Sequence, residues 1–125
     1  MGRIMLATSN STDEEYGGTL ENNEITISTE PGVTNYDNLC IESQKIVSGH
    51  FAMTVSSASA STWTKIASTP KKPVKNYVIP FVNDGTGNVG GMILIAQSNG
   101  DIRIYPTTAI NNATIHSTVI YKTTD

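Results

Sequence analysis

At 125 residues the chain has room for one domain with a modest core. With 11 acidic against 8 basic residues, its net charge of −3 excludes the dense positive footprint of a nucleic-acid binder. No stretch reaches the roughly 20 apolar residues of a membrane-spanning helix, which argues against membrane insertion, and the opening Met1–Ala7 run is too short for a secretory leader.

Ile, Val and Thr together number 39, against 4 Leu. β-Branched side chains suit a pleated surface and crowd a helix, so this imbalance favours strands. Leu, Ile, Val and Phe make only 28 residues, a lean core of the kind that gains stability by oligomerisation. Charge is unevenly spread: residues 1–42 carry a net −7 and residues 43–125 a net +4. The acidic segment reads as a solvated arm or as a surface that docks on a basic neighbour.

In chain order, residues 1–24 are polar and aperiodic, with Gly17-Gly18 and Asn22-Asn23 as breakers. Residues 1–35 are accordingly predicted to be an arm or linker, with one short strand at 24–29 ending at Pro31-Gly32. The domain proper is predicted over 36–125. Its strands fall at 39–47, which ends in a Ser48-Gly49 turn, then at 50–57, 63–68 and 77–83. Three more follow at 89–97, 101–107 and 113–122. Cys40, the only cysteine, lies in Leu39-Cys40-Ile41 and reads as a small apolar filler. Pro80 inside the 77–83 strand calls for an edge position or a bulge.

Asn99-Gly100 between two β-branched runs predicts a type I′ hairpin. After it, Ile102 and Ile104 share one face while Arg103 and Tyr105 share the other. Before it, Met92 and Leu94 face one way and Ile93 and Ile95 the other, so that strand must be covered on both sides. In so small a chain the second cover is another subunit. Eight strands spaced by turns, with no helical period, are the signature of an all-β sandwich or barrel.

From about Asn38 to Tyr121 a series of landmarks runs in order. Gly49-His50-Phe51-Ala52-Met53-Thr54-Val55 is followed by Trp63-Thr64-Lys65-Ile66-Ala67, Pro70 and a Lys/Pro loop. Then come Val78-Ile79-Pro80, the Asn83–Asn88 loop, Asn99–Tyr105, Ala109–Ala113 and a final Val119-Ile120-Tyr121. In this series the chain resembles the C-terminal head domain of bacteriophage tail-fibre and baseplate receptor-binding proteins. Ser68-Thr69-Pro70 departs from that pattern, which often has Leu before the proline. The resemblance implies an antiparallel jelly-roll-like β-sandwich, a homotrimer, a place on the virion tail or baseplate after synthesis in a bacterial host cytoplasm, and a role in host adsorption. The N-terminal segment would then meet other virion tail proteins. The ligand stays open, because binding loops in this family diverge freely.

No enzyme motif is present: the two histidines, His50 and His116, fall in separate strands, and few carboxylates lie outside the acidic segment. The chain is therefore expected not to be an enzyme and to need no cofactor or metal. For a bacterial cell-surface saccharide the candidate residues are Trp63 as a stacking platform, Arg103 with Tyr105 on the outer face, and Asn83, Asp84 and Asn88 in a polar loop. Each has a plainer reading, as a subunit-interface aromatic, a solvated sheet face and an ordinary hairpin loop. His116 reads as a satisfied interface residue. Two other functions fit the same sequence: a purely structural trimeric virion capping or decoration domain, and a bacterial surface jelly roll of tumour-necrosis-factor-like type.

Overall fold

The computed structural model describes residues 22–36 and 38–124. The predicted arm before residue 22 lies outside them. Ten antiparallel strands run in chain order: β1 (Asn23–Ile25), β2 (Ser28–Thr29), β3 (Val33–Asn35), β4 (Leu39–Ser43) and β5 (Ile46–Ala58), then β6 (Thr64–Ser68), β7 (Tyr77–Asn83), β8 (Asn88–Ile95), β9 (Asp101–Pro106) and β10 (Ile110–Lys122). No helix occurs among the described residues, hence none that could cross a membrane.

The strands form one curled sheet in the order β1-β4-β5-β10-β7-β8-β9-β6-β2. β2 pairs with β6 at one end of this path, whereas β3, directly after a Pro31-Gly32 turn, pairs with β5 near the other. The segment from 28 to 35 therefore straps the two ends together and gives the all-β sandwich its closure. Residues 23–35, grouped with the arm from sequence, thus contribute three strands. Their apolar residues are sparse, but Ile27 is buried and the backbone pairs on both sides.

Two turns differ from expectation. Between β4 and β5 the loop is Gln44-Lys45, not Ser48-Gly49, and both residues have positive φ (52° and 65°), the two-residue hairpin geometry. Glu42 supports this turn: its carboxylate accepts from Asn23 Nδ2 at 3.0 Å and from the Lys45 amide at 2.8 Å, and these bonds, the Asn23 one first, hold its pKa below the usual carboxylate value. Gly49 instead lies inside β5, where a Cβ would sit 2.1 Å from the Leu39 carbonyl oxygen. The hairpin at Asn99-Gly100 is real, but its loop is longer. The Ala96 amide bonds the Asp101 carbonyl, the Gly100 amide bonds the Ala96 carbonyl, and only Gly100 has positive φ (78°). Asn99 serves through its side chain, accepting from the Asp101 amide at 2.9 Å.

Inside the curl lie Val47, Phe51, Met53 and Val55 of β5, Phe81 of β7, Ile93 and Ile95 of β8, Ile102 and Ile104 of β9, and Ile115 and Val119 of β10. Ile93 and Ile95 are thus the core pair of β8, and Met92 and Leu94 are left half-buried on its outer face.

Pro80 is neither on an edge nor in the shifted step itself, which falls next to it between Phe81 and Val82. β7 pairs with β8 along its length but meets β10 only at Val82 and Asn83. The Pro80 carbonyl faces β10, where it accepts from Ser117 Oγ at 2.9 Å, so its nitrogen faces β10 as well and has no proton to offer. Past this point side chains replace the ladder: the Ile120 amide donates to the Tyr77 hydroxyl at 3.0 Å. The imino acid thus opens a gap in the wall of the sheet.

Candidate functional site

The gap is a cavity of about 340 Å³ lined by His50, Ile79, Pro80, Val82, Ser117 and Thr118 together with His116. β5 and β10 pair antiparallel along their whole length, with Thr118 opposite His50 and His116 opposite Ala52, so the two imidazoles are diagonal neighbours on the outer face. Their ring centroids are 5.5 Å apart, and His116 Nδ1 lies 3.4 Å from His50 Nε2. Sequence reading left them in unrelated strands, because register between strands some 66 residues apart is not written locally.

Within the single chain His116 is not satisfied. Its Nε2 is buried and has no hydrogen-bond partner among the described residues. The nearest charge is Asp84 Oδ1 at 3.6 Å, long for a hydrogen bond. Asp84 is positioned by its backbone, whose amide donates to the Thr114 carbonyl at 2.8 Å and ties the β7–β8 turn to β10. Tyr36, exposed on the chain after β3, presents an edge-on contact to His116 with centroids 6.5 Å apart. The same tyrosine borders a groove of about 410 Å³ that Glu24, Asn35, Asn38 and Leu39 also line. Aromatic, imidazole, amide and carboxylate groups therefore gather where the two depressions adjoin.

The six predicted site residues fall into two groups. Asp84 joins the histidines. Asn83 and Asn88 close the turn that carries it, with Asn83 Oδ1 accepting from the Gly85 amide at 2.9 Å and the Asn88 amide donating to Thr86 Oγ1 at 3.2 Å. Trp63, just before β6, forms the second group with Arg103 and Tyr105 on the outer face of β9. The Trp63 and Tyr105 rings pack with centroids 5.1 Å apart and planes tilted by 52°, and Trp63 keeps 41% of its surface exposed. Arg103 is engaged with Asp101 at 2.9 Å, and Lys65 bridges Asp101 at 3.4 Å and Glu30 at 3.5 Å. This four-residue ion cluster was missed because Asp101 reads as a turn residue, whereas it opens β9 and is buried.

Between the groups the register sets Tyr105 beside Met92 and Met92 beside Pro80. An apolar row, Tyr105-Met92-Pro80, therefore runs across three strands from the Trp63 ring to the cavity mouth. In the next row Arg103 stands beside Leu94 and Leu94 beside Val78, which is 49% exposed. Among the described residues no three His, Cys, Asp or Glu side chains converge as a metal site.

No family model and no curated protein matches the chain. Among solved structures the fold is similar to that of the head domain of lactococcal phage bIL170, a receptor-binding domain. The TM-score is 0.66 over 82% of this chain and 99% of that one, at 12% sequence identity.

Proposed function

We propose that the chain is the receptor-binding module of a bacteriophage tail or baseplate, recognising a host cell-surface saccharide as a homotrimer. The observation that carries the reading is the shared fold, which spans 99% of a phage receptor-binding head domain. The outer face supports it in two ways. Trp63, packed at a tilt against Tyr105, offers an exposed aromatic surface for the apolar face of a sugar ring, and the polar groups around Asp84 and His116 stand ready for hydroxyls. The apolar row through Met92 and the exposed Val78 suit contact with a second copy of the chain. Weak saccharide sites repeated in a trimer would act together on a cell wall that displays many receptors.

Adsorption of the purified protein to host cells, with a glycan array for class of sugar, tests the reading. Asp84→Ala and Tyr105→Ala should each weaken adsorption while leaving the assembly intact. If both variants adsorb like the parent, the site is elsewhere. If the parent binds neither cells nor any glycan, a structural role on the virion replaces receptor binding.

A further inference from the structure

The two imidazoles at the gap stand at a separation that fits a shared metal ion better than a hydrogen bond. His116 Nδ1 and His50 Nε2 are 3.4 Å apart, whereas nitrogen-donor hydrogen bonds cluster at about 2.9–3.0 Å. Two nitrogens each about 2.05 Å from a tetrahedral zinc ion stand about 3.3 Å apart. The geometry points to His50 and His116 as a two-histidine site for a borderline divalent cation such as Zn²⁺, with Asp84 as the outer partner of His116.

Three further observations agree. The strands carrying the ligands are paired residue by residue from Ile46–Lys122 to Val55–Ala113, so the site rests on the most continuous ladder in the sheet. His116 Nε2 is orphaned in its buried position, and Asp84 Oδ1 is the acceptor next to it at 3.6 Å. With the proton on Nε2 directed at that carboxylate, Nδ1 keeps its lone pair for the metal. Carboxylates fix metal-binding histidines in this way, and cation charge would draw the N–H and Asp84 closer. Finally, the cavity of about 340 Å³ beside both rings leaves room for water in the coordination positions that protein does not fill. A two-ligand site binds more weakly than a closed structural one and keeps open positions, to which a saccharide hydroxyl could be offered.

The test uses the untagged protein, since an added His-tag would bind the same ions. Titration with ZnCl₂, followed by calorimetry and by the ring-proton signals of the two histidines, should show one ion per chain perturbing both rings, and MgCl₂ should perturb neither. His50→Gln and His116→Gln should each weaken zinc binding by at least about tenfold, and Asp84→Asn by about tenfold. Zinc that leaves both ring signals of the parent unmoved at about 1 mM overturns the site, whatever the variants do. So does zinc affinity unchanged in both histidine variants, which would place the ion elsewhere. Calorimetry reads the metal without any glycan, so failure here leaves receptor binding standing, and failure of receptor binding leaves the metal site standing.

Discussion

Two buried protons make the folded chain sensitive to alkali. Burial pushes the Cys40 thiol from its ordinary 9.0 up to about 11, which suits the role of inert filler and predicts slow reaction with disulfide reagents until the chain unfolds. Burial likewise pushes the Tyr121 phenol from 10.0 up to about 12. Its hydroxyl donates to the Lys71 carbonyl at 2.6 Å. In the unfolded chain both groups release protons first, so the folded state binds more protons over that interval. The stability they contribute is whole below about pH 9 and declines as pH rises through 11 and 12. Urea midpoints at increasing alkaline pH should fall, and Tyr121→Phe should flatten the upper part of that fall while costing about 1 kcal/mol at neutral pH. Asp101→Asn should cost about 1 kcal/mol by leaving Arg103 and Lys65 without their shared carboxylate, and added salt should shrink the difference.

Among the elements, β8 separates two roles that one strand carries on its two faces. Ile95→Ala empties a site with no exposed surface and should lower unfolding free energy by about 2–5 kcal/mol in urea denaturation. Leu94→Ser, on the outer face, should change stability of the single chain far less. Gly91→Ala should be among the most damaging small substitutions, because a Cβ there would stand 2.2 Å from the Tyr105 carbonyl oxygen, which belongs to a paired strand and cannot step aside. The strands flanking β8 were largely legible: alternation marked Ile102 and Ile104 of β9 as core, and β7 was read to the residue at 77–83. Turn chemistry was less legible. Asn99-Gly100 has the residues a two-residue turn prefers, yet that geometry appears at Gln44-Lys45, where Glu42 and Asn23 supply the support that local preference lacks. Pairing between strands distant in sequence was not legible, although the β8–β9 hairpin was. His50 and His116 meet only because β5 and β10 align in one register, and nothing near either residue encodes the other.

At the scale of the whole molecule, the outer apolar row asks for a cover. Light scattering should report a trimer at micromolar concentration, and Met92→Asp should shift it toward monomer with the β spectrum retained. A monomeric parent would remove the oligomeric part of the proposed function. The strap formed by β2 and β3 has a different consequence. It holds the curl shut through two pairs to β6 and three to β5, whereas β10 is bound to β5 along its full length. Local opening should therefore begin at this seam, at a free energy well below that of global unfolding. Amide hydrogens of residues 28–35 should trade for deuterium early, those of the β5–β10 ladder last. The domain would then breathe like a cuff with a short clasp, admitting solvent to one line of its interior while the rest of the sheet stays knitted.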